Sequence, residues 1–288
     1  MTTGIRAFRL LPILVLLSFS SGCAVVVNNA TDSVADALSN GVMNHDDPET
    51  VRAAMPAYMI MIDGLIADNP DSSTLLSAAA TLYASYGAIF ADTDLRASRL
   101  STRARSYALR AMCEEYEPAC GWREMIYDDF VASLDGITEK HADFVYTYGL
   151  STLVYLRAHS DDWNALAELP QVEALFNRYL EIAGDDVTPA THTYMGILLT
   201  LRPPALGGKP EEARMHFERA IELTEGRDLS AKVEFARGYA MLLYERELHD
   251  RLLIEVIQAD PYADGLTLSN VLAKEDAAAM LAAADDYF

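Results

Sequence analysis

The sequence predicts an all-α protein built from successive helical hairpins. Apolar and polar residues do not alternate over any long stretch, which argues against half-buried β-strands. Proline, glycine and helix-capping residues recur at intervals of about 15 to 25 residues, a spacing typical of paired helices. Hydrophobic residues make up 51% of the chain, so it can bury a sizeable core.

The individual helices are delimited by capping residues and prolines. Asp47-Pro48-Glu49 places proline at a first helical position. Asn69-Pro70-Asp71 ends that helix and begins the next, which continues to Phe90. Pro170 begins a helix that Gly184 ends. The other predicted helices cover about residues 95–113, 121–134, 139–158, 189–201, 210–225, 230–246, 249–258 and 269–285.

The N-terminus has the three parts of a secretory signal. Arg6 and Arg9 give a positive start, residues 10–19 form an apolar segment, and small residues follow at positions 20–22. The apolar segment is shorter than the roughly 20 residues that a membrane-spanning helix needs. Cys23 follows the small residues directly. This arrangement resembles the bacterial lipobox, in which the cysteine thiol receives a diacylglyceryl group before cleavage.

Lipidation at Cys23 would anchor the mature chain in a membrane. Each buried CH₂ group of an acyl chain contributes about 0.8 kcal/mol to that anchoring. Ala24, rather than Asp, follows the cysteine, as in lipoproteins sent on to an outer membrane. The alternative is an ordinary secretory signal with an unmodified cysteine. We expect a signal peptide over residues 1–22, a lipidated tether over residues 23–46 and a helical domain over residues 47–288.

The chain is strongly acidic, with a formal net charge of −21 at pH 7. Such a surface repels nucleic acid and anionic lipid headgroups, and no cluster of basic residues in the sequence offsets it. We therefore expect no nucleic-acid partner, and we interpret the acidic residues as a solvated surface that keeps the protein soluble.

Cys113 and Cys120 remain as a pair if Cys23 carries lipid, because the chain has three cysteines. In one continuous helix their Cα atoms would lie roughly 10 Å apart, beyond the limit of about 7 Å for a disulfide. Pro118 lies between them and should end the helix near Glu117. The sequence therefore predicts a small structural disulfide at a corner between helices.

Catalytic motifs are missing from the sequence. The six histidines are scattered, and no zinc-protease, nucleophile-elbow, Walker or dinucleotide-binding motif occurs. We predict no enzyme activity, no metal site and no cofactor.

Two glycines before a helix can form an anion site, but proline at the first helical position favours a tight structural turn. The residues of that predicted turn are Pro203, Gly207 and Gly208.

One helix carries a recognisable pattern of small and aromatic residues. Ala213, Phe217 and Ala220 lie on one helical face and resemble the second helix of a tetratricopeptide repeat, where small residues admit the paired helix. The alanines of residues 104–111 repeat this spacing, and residues 172–182 form a looser copy. We therefore predict a tetratricopeptide-like α-solenoid with degenerate repeats, although an alanine stripe also occurs in ordinary helical bundles.

Several ordered blocks of sequence resemble one family. They are Ala54-Met55-Pro56, residues 61–66, Asn69-Pro70, residues 75–80 with Tyr83, Tyr86 and Phe90, residues 103–108, Gly196, residues 202–213 with Phe217 and Ala220, residues 235–240, and Asp260-Pro261. Together they resemble the T-component (TatT) lipoproteins of tripartite ATP-independent periplasmic (TRAP) transporters, from about Thr50 to the C-terminus.

The resemblance implies a lipid-anchored, tetratricopeptide-like protein. Together with Ala24 after the lipidated cysteine, it leads us to expect that the protein faces the periplasm from the outer membrane. The resemblance also implies that the protein self-associates and binds the periplasmic solute-binding component of the transporter. Two other functions stay open at this point. The protein could be a scaffold lipoprotein for envelope assembly, or it could carry an apolar ligand between its helices.

Overall fold

A computed structural model describes residues 37–184 and 187–288, and the predicted signal peptide and Cys23 lie outside this range. Helices dominate the described residues, and those residues contain no β-strand, so the all-α prediction is confirmed there. A helical segment over residues 37–43 precedes the numbered helices. These are α1 Pro48–Asp68, α2 Ser73–Phe90, α3 Asp94–Glu115, α4 Tyr127–Ser133, α5 Ala142–Ala158, α6 Trp163–Leu166, α7 Leu169–Ala183, α8 Ala190–Thr200, α9 Pro210–Leu223, α10 Leu229–Phe235, α11 Arg246–Gln258, α12 Thr267–Ala282 and α13 Ala284–Tyr287.

Side-chain caps fix the starts of the first three helices. The Asp47 carboxylate accepts a hydrogen bond from the Glu49 amide at 3.0 Å, and the hydroxyls of Ser72 and Thr93 cap α2 and α3 in the same way. Each cap satisfies an amide that the helix leaves without a partner, which typically stabilises a helix by about 1 kcal/mol. The predicted start at Pro48 is confirmed.

Two predicted helix spans are wrong. A 3₁₀ helix occupies Glu117–Gly121, and only Tyr127–Ser133 of the predicted helix 121–134 is α-helical. The predicted helix 230–246 is helical over residues 229–242, with a π-helical turn at Ala236–Ala240, and it ends early because Tyr244 has a φ angle of +57°. A left-handed residue ends a helix, and here it allows the chain to turn before α11 begins.

Helices α1 and α3 both pack on α2 and run antiparallel to it. Tyr86, near the end of α2, donates a hydrogen bond to the carbonyl of Arg52, near the start of α1. The α2–α3 contact is close because small residues line it, so that a Cβ atom at Gly87 would lie 3.0 Å from the Leu100 Cβ. The alanines buried in these helices are Ala79, Ala80, Ala84, Ala104, Ala108 and Ala111.

The middle of the molecule is centred on a tryptophan. Trp122 is 1% exposed, and its ring packs against Phe130 and Tyr148 with centroids 5.3 Å apart in both cases. Its indole N–H donates a hydrogen bond to the Ser133 hydroxyl at 2.9 Å, so the polar group is satisfied in the core. Helix α5 packs on α3 on one side and on α7 on the other.

Helical pairing continues into the C-terminal half. The pairs α8–α9 and α11–α12 are in contact, and one apolar core connects them with α5 and α7. Phe176 of α7 packs against Gly149 of α5, and Phe217 of α9 packs against Gly196 of α8. Both phenylalanines are fully buried. The same aromatic-on-glycine contact is therefore used in two successive helical pairs.

Among the residues that the structure describes, none covers one apolar face of α1. Ile60, Met61 and Leu65 are exposed, with relative exposures of 74%, 54% and 43%. By length and composition alone α1 could also cross a membrane, since its most apolar window has a mean hydropathy of 1.2. Asp63 ties the middle of α1 to α2 and α3 through hydrogen bonds from Tyr83 and Tyr107, so in this fold α1 is a layer of the helical domain.

Candidate binding cleft

A cleft of about 520 Å³ lies between α4, α7 and the segment that joins α8 to α9. Its walls combine apolar and charged side chains from these three parts of the chain. The lining residues are Tyr127, Val131, Leu134, Asp135, Pro170, Glu173, Ala174, Asn177, Arg178, Glu181, Arg202, Gly207 and Lys209. One wall contains Gly207, which belongs to the structural turn that the sequence predicts.

That turn has a defined backbone geometry. Pro203 precedes a short 3₁₀ helix over Pro204–Leu206, and Gly207 follows with a φ angle of +89°, which favours glycine. The amide of Gly208 donates to the Pro203 carbonyl at 3.1 Å. A Cβ atom at Gly208 would lie 1.8 Å from the Arg202 carbonyl oxygen, so no larger residue fits without a backbone shift. Pro203, Gly207 and Gly208 therefore lie together in one turn at the rim of the cleft.

The turn also positions two cations at the cleft. The amide of Lys209 donates to the Leu199 carbonyl at 2.9 Å. This hydrogen bond fixes Lys209, the residue that immediately precedes α9. The Lys209 ammonium group contacts the Glu173 carboxylate of α7, and this hydrogen bond raises the pKa of Lys209. Arg202 lines the same wall, and it forms no ion pair with any residue in the described parts of the chain.

Arg178 on the opposite wall is already engaged. Its guanidinium donates to Glu181 at 2.9 Å and to the Ile137 carbonyl at 2.5 Å. Arg202 is therefore the arginine at this cleft whose charge is available for an incoming group. A carboxylate could pair with it in two parallel hydrogen bonds while an apolar group lies against Val131 or Pro170.

A histidine pair lies on α8 and α9, the two helices that the turn connects. The Nδ1 atoms of His192 in α8 and His216 in α9 are 2.9 Å apart, so one donates a hydrogen bond and the other accepts it. Burial and the neighbouring His216 lower the pKa of His192 to about 4. Burial also lowers the pKa of His216, while the carboxylate of Glu212 opposes the shift. The pair is therefore neutral at pH 7.

This pair could not be predicted from the sequence because its members are on different helices. Two histidines separated by 24 residues have no local signature. No group of three or more histidine, cysteine, aspartate or glutamate residues that could hold a metal ion occurs in residues 37–184 and 187–288.

The two cysteines of the helical domain lie at the end of α3. Cys113 is in its last turn and Cys120 is in the following 3₁₀ helix, and their sulfur atoms are bonded in the structure with the Cα atoms 4.7 Å apart. The chain reverses at Tyr116 and Pro118, as the sequence analysis expected. This pair lies apart from the cleft, which it does not line.

Comparison with known proteins identifies the family. No curated protein matches the sequence. The model of one protein family, described as the TRAP transporter T-component, matches residues 44–288. That match covers the whole helical domain, including the turn and the cleft, and it confirms the resemblance found in the sequence. The chain belongs to the TRAP transporter T-component family.

Proposed function

We propose that the protein is a lipid-anchored accessory component of a TRAP-type solute transporter and binds the periplasmic solute-binding component through its helical surface. The observation that carries this proposal is the family match over residues 44–288. The mixed polar and apolar cleft favours binding over catalysis as well. In this account the protein is not an enzyme and needs no cofactor.

The proposed anchor is a lipid on Cys23, which would hold the domain at the outer membrane and facing the periplasm. Asn44 and Asp46, at the end of the proposed tether, contact the loop between α11 and α12. The Asn44 side chain accepts a hydrogen bond from the Gly265 amide at 2.7 Å, and the Tyr262 hydroxyl donates to Asp46 at 3.1 Å. In this proposal the tether would join the domain beside the loop between α11 and α12.

The helical surface is proposed to be tetratricopeptide-like. Two successive pairs, α5–α7 and α8–α9, use the same contact between a buried phenylalanine and a glycine. Ala213, Phe217 and Ala220 all lie on the buried face of α9, as the repeat pattern requires. Stacked helical pairs of this kind expose an extended surface on which a protein partner can bind.

The protein is also proposed to form a homo-oligomer. The exposed Ile60, Met61 and Leu65 of α1 form an apolar patch that a second copy would cover. The family resemblance of the sequence led us to expect self-association. Within the described residues, α1 is a long helix whose apolar face is not covered.

Cross-linking in intact cells tests the proposed partner. Cells that produce the tagged, lipidated protein are treated with a cross-linker, and the products are purified and identified by mass spectrometry. We expect a cross-link to a TRAP-type solute-binding protein. The variant Cys23→Ser is the matched control, since it should lose membrane attachment and with it most of the cross-linked product.

The alternatives make different predictions in the same experiment. An envelope-assembly scaffold would cross-link to outer-membrane assembly proteins and to no solute-binding protein. A carrier of an apolar ligand would co-purify with lipid in an apolar cavity. The cleft described above is lined partly by charged residues, which favours a carboxylate-bearing ligand over a purely apolar one.

A further inference from the structure

One face of α3 carries a regular row of arginines. Arg96, Arg103 and Arg110 are separated by seven residues each, and all three are exposed. Seven residues correspond to nearly two helical turns, so the three side chains leave the same face of the helix about 10 Å apart. We call these three residues the arginine row.

Each member of the arginine row is held over an aromatic ring. The guanidinium carbon of Arg96 lies 5.6 Å from the Tyr86 ring centroid, that of Arg103 lies 5.4 Å from Tyr83, and that of Arg110 lies 5.8 Å from Tyr107. An arginine over an aromatic face gains cation–π attraction and loses side-chain freedom in advance of binding. The row is therefore a preorganised set of positive charges, because its geometry is fixed by α2 and α3.

The positive charge of the row is only partly neutralised. Arg103 forms an ion pair with Asp63 of α1 at 3.0 Å. Arg96 and Arg110 form no ion pair with other residues in the described ranges, although Arg110 donates to the Pro70 carbonyl at 2.6 Å. Two of the three cations are thus available to a partner, and Asp63 keeps the third in place.

The acidity of the whole protein narrows the choice of partner. A net charge of −21 repels a long polyanion or an extended anionic membrane surface. A short acidic patch on another protein is different, because it is small enough to contact the row alone. To pair with Arg96 and Arg110, its carboxylates would need a spacing of about 21 Å along a line, which an acidic helix with residues at i and i+14 provides.

We propose that the arginine row of α3 is the surface on which an acidic face of the solute-binding component docks. This proposal rests on the proposed function and adds the location and the charge of the contact. Arg96 and Arg110 supply the free charges, and Arg103 with Asp63, Tyr83 and Tyr107 holds the middle of the row rigid. Complementary charge of this kind chiefly steers association and fixes orientation.

The test compares two double charge reversals in the full-length, lipidated protein in detergent. Arg96→Glu/Arg110→Glu changes the row, and Arg214→Glu/Arg219→Glu is the matched control on α9, where both arginines are similarly exposed. The ligand is the purified solute-binding protein recovered with the wild-type chain from native membranes. Affinity is measured by biolayer interferometry at low and at physiological salt. Circular dichroism checks that each variant is folded.

We expect the row variant to bind at least about tenfold more weakly and to lose most of the salt dependence, with the control within about twofold of wild type. Arg96→Lys/Arg110→Lys should recover part of the affinity, since it restores charge without the planar guanidinium. If the row variant and the control weaken binding equally, or if neither weakens it, the proposed docking surface is wrong while the proposed function stands. If the wild-type chain does not bind the solute-binding protein, both the docking surface and the proposed function are wrong. Binding of the row to vesicles containing phosphatidylglycerol, with unchanged binding of the solute-binding protein, would assign the row to lipid instead.

Discussion

The ring of Phe217 lies so close to Gly196 that a Cβ atom on the glycine would be 2.6 Å from the ring. This contact joins α8 to α9 at the core of the C-terminal half. It explains why glycine stands in the middle of a buried helix, where it normally costs about 0.5–1 kcal/mol relative to alanine. The ring fills the space that a side chain at position 196 would need.

Gly196→Ala should therefore destabilise the protein despite the better helix propensity of alanine. We expect a loss of about 1–3 kcal/mol in the free energy of unfolding, because the added methyl group overpacks the core. Gly64→Ala is the matched control, since that glycine lies in α1 with no atom near its missing Cβ. The control should be neutral or stabilising by up to about 1 kcal/mol. Urea unfolding of both variants measures the difference, and equal effects would contradict the packing argument.

The disulfide between Cys113 and Cys120 gives a second prediction. The purified protein should resist alkylation at both cysteines until it is reduced and unfolded, and mass spectrometry detects the added mass. Because the bond closes a short loop, its loss should cost about 2 kcal/mol. The double variant Cys113→Ser/Cys120→Ser should show this loss in urea unfolding. Alkylation of the unreduced protein at these positions would show that the pair is open.

The histidine pair predicts a loss of stability in mild acid. The folded state lowers the pKa of His192 to about 4 from the ordinary histidine value of 6.5. The unfolded chain therefore binds a proton at a pH where the folded chain does not. This contribution to stability is complete above about pH 6.5 and is lost progressively as the pH falls towards 4.

Variants at the pair test this pH dependence. His192→Gln keeps a polar side chain in α8 but cannot take up a proton, so stability should fall less steeply between neutral pH and pH 5 than in the wild type. Thermal unfolding at a series of pH values gives the slope. If the variant and the wild type have the same slope, the pair is not a source of the acid sensitivity.

The apolar face of α1 predicts that self-association depends on that helix. Ile60→Glu/Leu65→Glu should shift the lipidated protein in detergent towards a monomer, because charges on the patch oppose its burial against a second copy. Met215→Glu/Ile254→Glu changes two comparably exposed residues on α9 and α11 and should leave the assembly intact. Analytical ultracentrifugation measures the mass. A wild-type protein that is monomeric at all concentrations would contradict the proposed oligomer.

Much of the fold could be predicted from the sequence because local signals mark most helix ends. Asp47 and Pro48 set the start of α1, and Pro210 sets the start of α9. The end of the helical stretch at residue 242 had no such signal. Tyr244 takes a left-handed conformation there, which no glycine or proline next to it marks in the sequence.

The binding surfaces were harder to predict than the helices. The turn at Pro203, Gly207 and Gly208 was visible because glycine and proline mark it locally. The cleft beside that turn depends on α4 and α7, which are distant in the sequence. The spacing of Arg96 and Arg110 is visible in the sequence, but the rings that hold these arginines are known only from the fold.

The central claim is that this protein binds the solute-binding component of a TRAP transporter. The most direct measurement is a pull-down of the lipidated protein from detergent-solubilised native membranes, followed by quantitative mass spectrometry. An unrelated acidic lipoprotein carrying the same tag serves as the control. We expect a TRAP-type solute-binding protein to be enriched over that control. Enrichment of outer-membrane assembly proteins, with no solute-binding protein, would contradict the claim.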